Sequence, residues 1–140
     1  HVAGSELDGR TIPYDNSLEG LVSKKKDFIG KRSLSKAAYV SLDRQKVVGV
    51  VPIDKKTSIP EGSYIVRDAK AKLPNPKLGH ISASCWSVEY DNPFSLAIIK
   101  DGKNMIGQKL FALSPLKNKT IPVEIVSSHY VDPKGERVRS

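Results

Sequence analysis

Between residues 46 and 131 the chain divides into six short stretches of β-branched or alternating apolar residues, each ended by a turn signal. That rhythm leaves few folds open. Residues 46–53 are a β-branched run broken by Gly49 and Pro52. Pro60-Glu61-Gly62 introduces a short strand over 63–67, and Pro74-Asn75-Pro76 breaks the chain again. Residues 79–86 alternate, with His80, Ser82 and Ser84 on one face and Ile81, Ala83 and Cys85 on the other, which predicts a core position for Cys85. Residues 94–100 are apolar, Asp101-Gly102 is a strong turn dipeptide, and Gly107 precedes a strand over 108–113. The last strand spans 120–129, where Pro122 predicts a sheet edge or bulge. Six such strands predict a mainly β fold, an antiparallel barrel or a sandwich. A barrel also removes the open edges that so small a domain would otherwise expose.

The first 22 residues read differently. Gly4-Ser5, Asp8-Gly9, Pro13 and Asp15-Asn16 are turn chemistry, and Val2, Leu7, Ile12, Leu18 and Leu21 follow no sustained period. Such a segment is expected to pack on a neighbouring domain, and the chain, opening at His1, reads as a piece of something longer. Asp27 is placed to cap a short helix running through Phe28, Ile29, Leu34 and Ala37-Ala38, which Gly30 weakens. The expectation is a short helical N-terminal extension followed by the barrel.

The chain of 140 residues, 39% hydrophobic, suits one compact core and excludes a disordered chain. No apolar run approaches the ~20 residues of a membrane helix, and no basic-then-apolar leader is present. One cysteine excludes an internal disulfide framework and fits a reducing, cytoplasmic setting. Of 23 basic residues, ten lie between Lys24 and Lys56, and the net charge is +8. This is either an anion-binding face or a solvated surface; only Phe28 and Tyr39 interleave with the lysines, too few to favour nucleic acid. His1, His80 and His129 lack partners at metal-ligand spacing. Gly30-Lys31-Arg32-Ser33 lacks the upstream glycine of a phosphate loop, and Ser33-Leu34-Ser35-Lys36 lacks the companion motifs of acyl-transfer enzymes. Asn118-Lys119-Thr120 matches a glycosylation sequon by chance. Along residues 79–87, Ser84 and Ser87 are placed to hydrogen-bond a ligand with Trp86 stacking on it; equally, Trp86 plugs the barrel end.

Several segments together resemble the aminomethyltransferase family, the fold of the glycine-cleavage T-protein. They are Gly4 to Asp8 with Thr11-Ile12-Pro13 and Ser17-Leu18; Lys24 to Gly30; Val48-Gly49-Val50; Gly79 to Ser87; and Ile121-Pro122-Val123. Within that superfamily the chain is most similar to the alpha subunits of heterotetrameric sarcosine oxidase. Lys24-Lys25-Lys26-Asp27-Phe28-Ile29-Gly30-Lys31-Arg32-Ser33-Leu34 carries the likeness, as do Arg44 to Val50, Trp86-Ser87 and Tyr130 to Arg137. Asp15, where T-proteins usually carry Glu, and Glu19-Gly20, replacing a small-Trp pair, turn the resemblance away from the T-protein itself. Dimethylglycine dehydrogenases share much of the ending.

The resemblance implies a six-stranded antiparallel Greek-key barrel over 45–131, preceded by the end of a folate-binding domain over 1–35 and followed by a tail over 132–140. It implies a parent enzyme whose flavin, in another subunit, oxidises the N-methyl group of sarcosine. The one-carbon unit then passes to tetrahydrofolate, giving 5,10-methylenetetrahydrofolate, or leaves as formaldehyde, with hydrogen peroxide formed. FAD, FMN and NAD belong to the parent and not to this piece. The implied partners are the upstream part of the alpha subunit and the beta, gamma and delta subunits. Tyr14, Asp15, Ser84 and Trp86 are the candidate folate contacts; no catalytic or metal-binding residue is assigned, and the piece alone is expected to be inactive. The lysine-rich loop is a candidate contact for a folate polyglutamate tail. Two readings from other classes remain at this stage, a basic RNA-binding barrel and a subunit-docking module.

Overall fold

The computed structural model describes residues 3–41, 44–70 and 77–139. Pro74-Asn75-Pro76 and His1 lie outside them. Six strands form: β1 (Gln45–Pro52), β2 (Tyr64–Val66), β3 (Gly79–Ser87), β4 (Asn92–Lys100), β5 (Lys109–Ser114) and β6 (Lys119–Val126). All pairings are antiparallel, and the strands close in the order β1-β4-β3-β2-β5-β6, with β6 returning to β1. β3 and β4, and β5 and β6, are hairpins, whereas β1 reaches β4 by a crossover, which makes the barrel a Greek key.

Alternation fills the interior. Val48 and Val50 of β1, Ile65 of β2, Ile81 of β3, Ala97 and Ile99 of β4, Leu110 and Ala112 of β5, and Ile121, Val123 and Ile125 of β6 share one buried cluster. β1 is buried on its outer face too, where the Phe94 and Val126 side chains close over Gly49, and residues 15–17 bond to its edge ahead of β6. The Val47 amide donates to the Asp15 carbonyl at 2.7 Å, and the Ser17 hydroxyl donates to the Val47 carbonyl at 3.4 Å. Two glycines let backbones approach where a side chain could not fit. A Cβ on Gly79 would lie 1.9 Å from the Ile98 carbonyl oxygen, and one on Gly49 would lie 2.5 Å from that of Ser127.

Two expectations are corrected. The alternation along 79–86 does not run through: Ile81 faces Ala97 but Ala83 faces Leu96, so Ser82 is an extra, bulged residue. The bulge flips the parity. Ser84 turns inward opposite buried Ser95, while Cys85 is turned outward and exposed rather than in the core. Pro122 marks an edge as expected: the start of β6, residues 119–122, pairs with β5 alone. Its carbonyl accepts from the Ile53 amide at 3.0 Å just beyond the Pro52↔Val123 pair, and with no N–H to return, it ends the β1–β6 ladder. Asp101-Gly102 turns the chain as expected: Asp101 is left-handed (φ 53°) and leads into a 3₁₀ turn, Gly102–Met105, that carries the chain between non-adjacent strands.

The helix expected after Asp27 is two single turns, α1 (Lys31–Leu34) and α2 (Ala37–Val40). Gly30 is left-handed (φ 96°) and occupies the cap position itself. Asp27 instead accepts from Lys31 Nζ at 3.1 Å. No helix among the described residues is long and apolar enough to cross a membrane.

Candidate functional site

The N-terminal segment is held to the barrel through Asp15. Asp8 first shapes the approach, its carboxylate accepting from the amides of Arg10 and Thr11, an Asx-type turn. Pro13 then closes a turn by accepting from the amides of Asn16 and Leu18, which buries Asp15 and Asn16 against β1. One Asp15 oxygen receives the Ile12 amide at 3.1 Å. Arg44 Nε lies 3.0 and 3.1 Å from the two carboxylate oxygens, and its Nη2 also donates to Asp15. Lys46 Nζ donates to the carboxylate at 3.1 Å and to the Tyr14 carbonyl at 3.2 Å. Arg44 Nη2 additionally donates to the Arg10 carbonyl at 3.0 Å, and its guanidinium lies 5.3 Å from the centre of the Tyr39 ring.

Burial works to raise the Asp15 carboxyl, but the hydrogen bonds from Arg44, the Ile12 amide and Lys46 outweigh it and hold the group below its ordinary range. The Asp15 hydrogen bond raises Arg44 in turn. A carboxylate sharing two cations and an amide is saturated, so Asp15 positions the segment and has no free oxygen to offer a ligand. Arg44 and Lys46 were not singled out as site residues. They stand two apart, Arg44 just before β1 and Lys46 within it, a spacing that puts both on one side, but their acidic partner lies 29 and 31 residues upstream, where no periodicity points to it.

Beside this node opens a cleft of ≈ 990 Å³. Tyr14, Val22, Phe28, Leu34 and Val40 give it apolar walls, and Lys24, Lys25 and Lys26 give it amines. These three lysines form no ion pair among the described residues, unlike Lys31, which binds Asp27. A second hollow of ≈ 640 Å³ lies between the segment and β3, lined by Asp8, Arg10, Asp15, Arg44, Lys77 and His80 among others.

The four residues read from the sequence therefore do not converge. Tyr14 lines the larger cleft and Asp15 the smaller. Ser84 points into the barrel, donating to the Ile59 carbonyl at 2.7 Å and sharing a 2.9 Å hydrogen bond with Ser95. Trp86 is half-exposed near the end of β3, opposite Pro93. Among the described residues no group of His, Cys, Asp and Glu is arranged to hold a metal ion.

No family model matches the chain. It is 32% identical over 140 residues to the sarcosine oxidase subunit alpha of Rhizobium meliloti, covering 99% of this chain and 14% of that protein. It is 36% identical over 138 residues to the sarcosine oxidase subunit alpha of a Corynebacterium species, covering 97% and 14%. An aminomethyltransferase of Listeria monocytogenes is 30% identical over 129 residues, 91% of this chain and 33% of that one. Among solved structures, the glycine cleavage system aminomethyltransferase T of Bartonella henselae shares the fold, with a TM-score of 0.70 and 18% identity over 92% of this chain and 34% of that chain. The chain thus spans 14% of the length of the two sarcosine oxidase subunits.

Proposed function

This chain belongs to the family of sarcosine oxidase alpha subunits and aminomethyltransferases, matching one portion of their length, and on that basis we propose that it forms the C-terminal, folate-handling end of an amine-oxidising enzyme. The supporting observation is the alignment with sarcosine oxidase alpha subunits along nearly every residue of the chain. In this reading the parent demethylates sarcosine with a flavin held elsewhere, in the cytoplasm, alongside beta, gamma and delta subunits. Tetrahydrofolate, when bound, supplies the nitrogens that take up the one-carbon unit.

What the chain's own residues contribute is positioning and enclosure. Tyr14 suits direct contact, since its ring lines the larger cleft. Asp15 acts through it: Lys46 is bonded to both the Asp15 carboxylate and the Tyr14 carbonyl. Trp86, half-exposed, offers a ring for stacking. Ser84 supports the wall from inside by tying β3 to Ile59 and Ser95. Lys24, Lys25 and Lys26, without an ion-pair partner among the described residues, draw the polyglutamate tail, an attraction that weakens with salt.

The test is made in the full-length parent. Tetrahydrofolate is expected to raise its unfolding temperature and to divert product from formaldehyde to 5,10-methylenetetrahydrofolate, with Tyr14→Ala weakening both effects. The 140-residue chain alone is expected to form no peroxide from sarcosine. An unchanged product ratio with and without tetrahydrofolate would overturn the reading, as would turnover by the isolated chain.

A further inference from the structure

The strand order puts three connections at one end of the barrel: residues 53–63 between β1 and β2, 88–91 between β3 and β4, and 115–118 between β5 and β6. The N-terminal segment docks toward the other end, through the Val47 amide and the Glu19–Lys103 ion pair. Each of the three connections presents an aliphatic side chain to solvent: Ile53 is 46% exposed, Val88 89% and Leu116 99%. Lysines accompany two of them. Lys55 and Lys56 follow Ile53, and Lys117 and Lys119 follow Leu116. The Ile53 amide, bonded to the Pro122 carbonyl, brings the two groups side by side. None of these four lysines forms an ion pair among the described residues. Acids at the same end are engaged close by: Asp54 accepts from the amides of Lys56 and Thr57, Glu61 accepts from the Ser84 amide, and Glu89 binds Arg137.

Lysine is depleted where proteins meet proteins, and aliphatic tips offer no ring on which a base could stack. An anionic bilayer uses both features. Aliphatic side chains pass beneath the headgroups while lysines, on four-carbon stems, stay level with the lipid phosphates. We propose that this end of the barrel rests on an anionic membrane surface, with Ile53, Val88 and Leu116 entering the interface and Lys55, Lys56, Lys117 and Lys119 facing the headgroups. The contact is superficial and reversible, a basic patch combined with shallow apolar insertion. It is independent of the folate reading, because it draws on none of Tyr14, Asp15, Lys24, Lys25 or Lys26.

The full-length parent is sedimented with sucrose-loaded vesicles of phosphatidylcholine containing about one third phosphatidylserine. Vesicles of phosphatidylcholine alone are the comparison. The salt is held at about 0.1 M, where charges more than ~10 Å apart are largely screened from one another. The parent is expected to pellet with the anionic vesicles and to be released as salt is raised further. Affinity falls about tenfold or more in K55E/K56E/K117E/K119E. It falls about fivefold or more in I53S/V88S/L116S, which leaves the charge untouched. K24E/K25E/K26E and Ile29→Ser, both at the N-terminal segment, change it by less than about twofold. Thermal unfolding monitors that each variant folds; if the triple serine variant does not, Leu116→Ser alone takes its place, since that side chain stands in solvent.

Sedimentation no greater with anionic vesicles than with phosphatidylcholine alone overturns the proposal. Equal loss in K24E/K25E/K26E does so too, by moving the contact to the N-terminal segment. Undiminished binding by the serine variant would reduce the surface to a polyanion face, open to nucleic acid or an acidic protein, and would remove the bilayer as its occupant. The folate reading stands or falls apart from all of these, because the product ratio with and without tetrahydrofolate is measured without vesicles.

Discussion

Replacing Asp15 by Asn tests the node that fastens the N-terminal segment to β1. Only 4% of the Asp15 side chain is exposed, against 20% of Arg44 and 15% of Lys46. Asparagine keeps the shape and can still accept the Ile12 amide, but the charge that faced two cations is gone. Breaking a fully enclosed ion pair costs about 3–5 kcal/mol. Water reaches both cations, which reduces the expected loss to about 2–3 kcal/mol. For a chain of 140 residues that lowers the unfolding temperature by about 10 °C. Urea unfolding followed by circular dichroism measures it. Asp8→Asn is the matched control: its partner Arg10 is 92% exposed, and its loss is expected to be far smaller than that of Asp15→Asn. A cycle with Arg44→Gln should give a coupling above about 1 kcal/mol. Hydrogen exchange at the Val47 amide, which donates to the Asp15 carbonyl, should quicken in D15N. A loss under about 1 kcal/mol, or a coupling near zero, would show that the ion pair does not hold the segment and would refute the reasoning.

Four further outcomes are expected. Because the folded Asp15 carboxyl titrates below its unfolded value of 3.8, its contribution is complete above that pH and drains as the pH falls beneath it, so the stability gap between wild type and D15N should close in acid; a gap that persists at the lowest pH refutes the assignment. Gly79→Ala places a methyl 1.9 Å from the Ile98 carbonyl oxygen and should cost more than about 3 kcal/mol by urea unfolding, whereas Gly9→Ala, in open space, should stay within about 0.5 kcal/mol. Exposed Cys85 should react with a disulfide reagent in the native chain at a rate within a few-fold of that in denaturant; a thiol that labels only after unfolding would contradict the bulge. Ser84→Ala leaves the Ser95 hydroxyl without its partner inside the barrel and should lower stability by about 1–2 kcal/mol, read as a shift in the urea midpoint.

The strands were legible because their signals are local. Val47 to Val51 and Ile121 to Ile125 are rich in β-branched residues, and Pro60-Glu61-Gly62 cuts the chain with turn residues. Their arrangement was not, since nothing in Asp101-Gly102 says whether the next strand lies beside β4 or three places away. The barrel order came from the family resemblance. One inserted residue, Ser82, reversed every inward and outward assignment after it, and period-two reasoning has no means of placing a bulge. Gly30 was read as a weak helical residue when its positive φ makes it a boundary. Of the residues around the clefts, Tyr14 and Asp15 were named as candidate folate contacts and the clustered lysines as a charged face. Arg44 and Lys46 were not, because ion pairs across some thirty residues leave no periodic trace.

The barrel's first strand is flanked by its fourth and its last. A ribosome delivering the chain from the N-terminus must therefore hold β1 unsealed until Val126 has emerged. During that interval Val47 to Val51 present a sticky β-branched ribbon to the cell, the kind that chaperones recognise and that pairs with strangers. Any premature stop before residue 119 releases that ribbon with no sixth strand to cover it, so loss of the last strand is expected to yield aggregates or rapid proteolysis and not a smaller working domain.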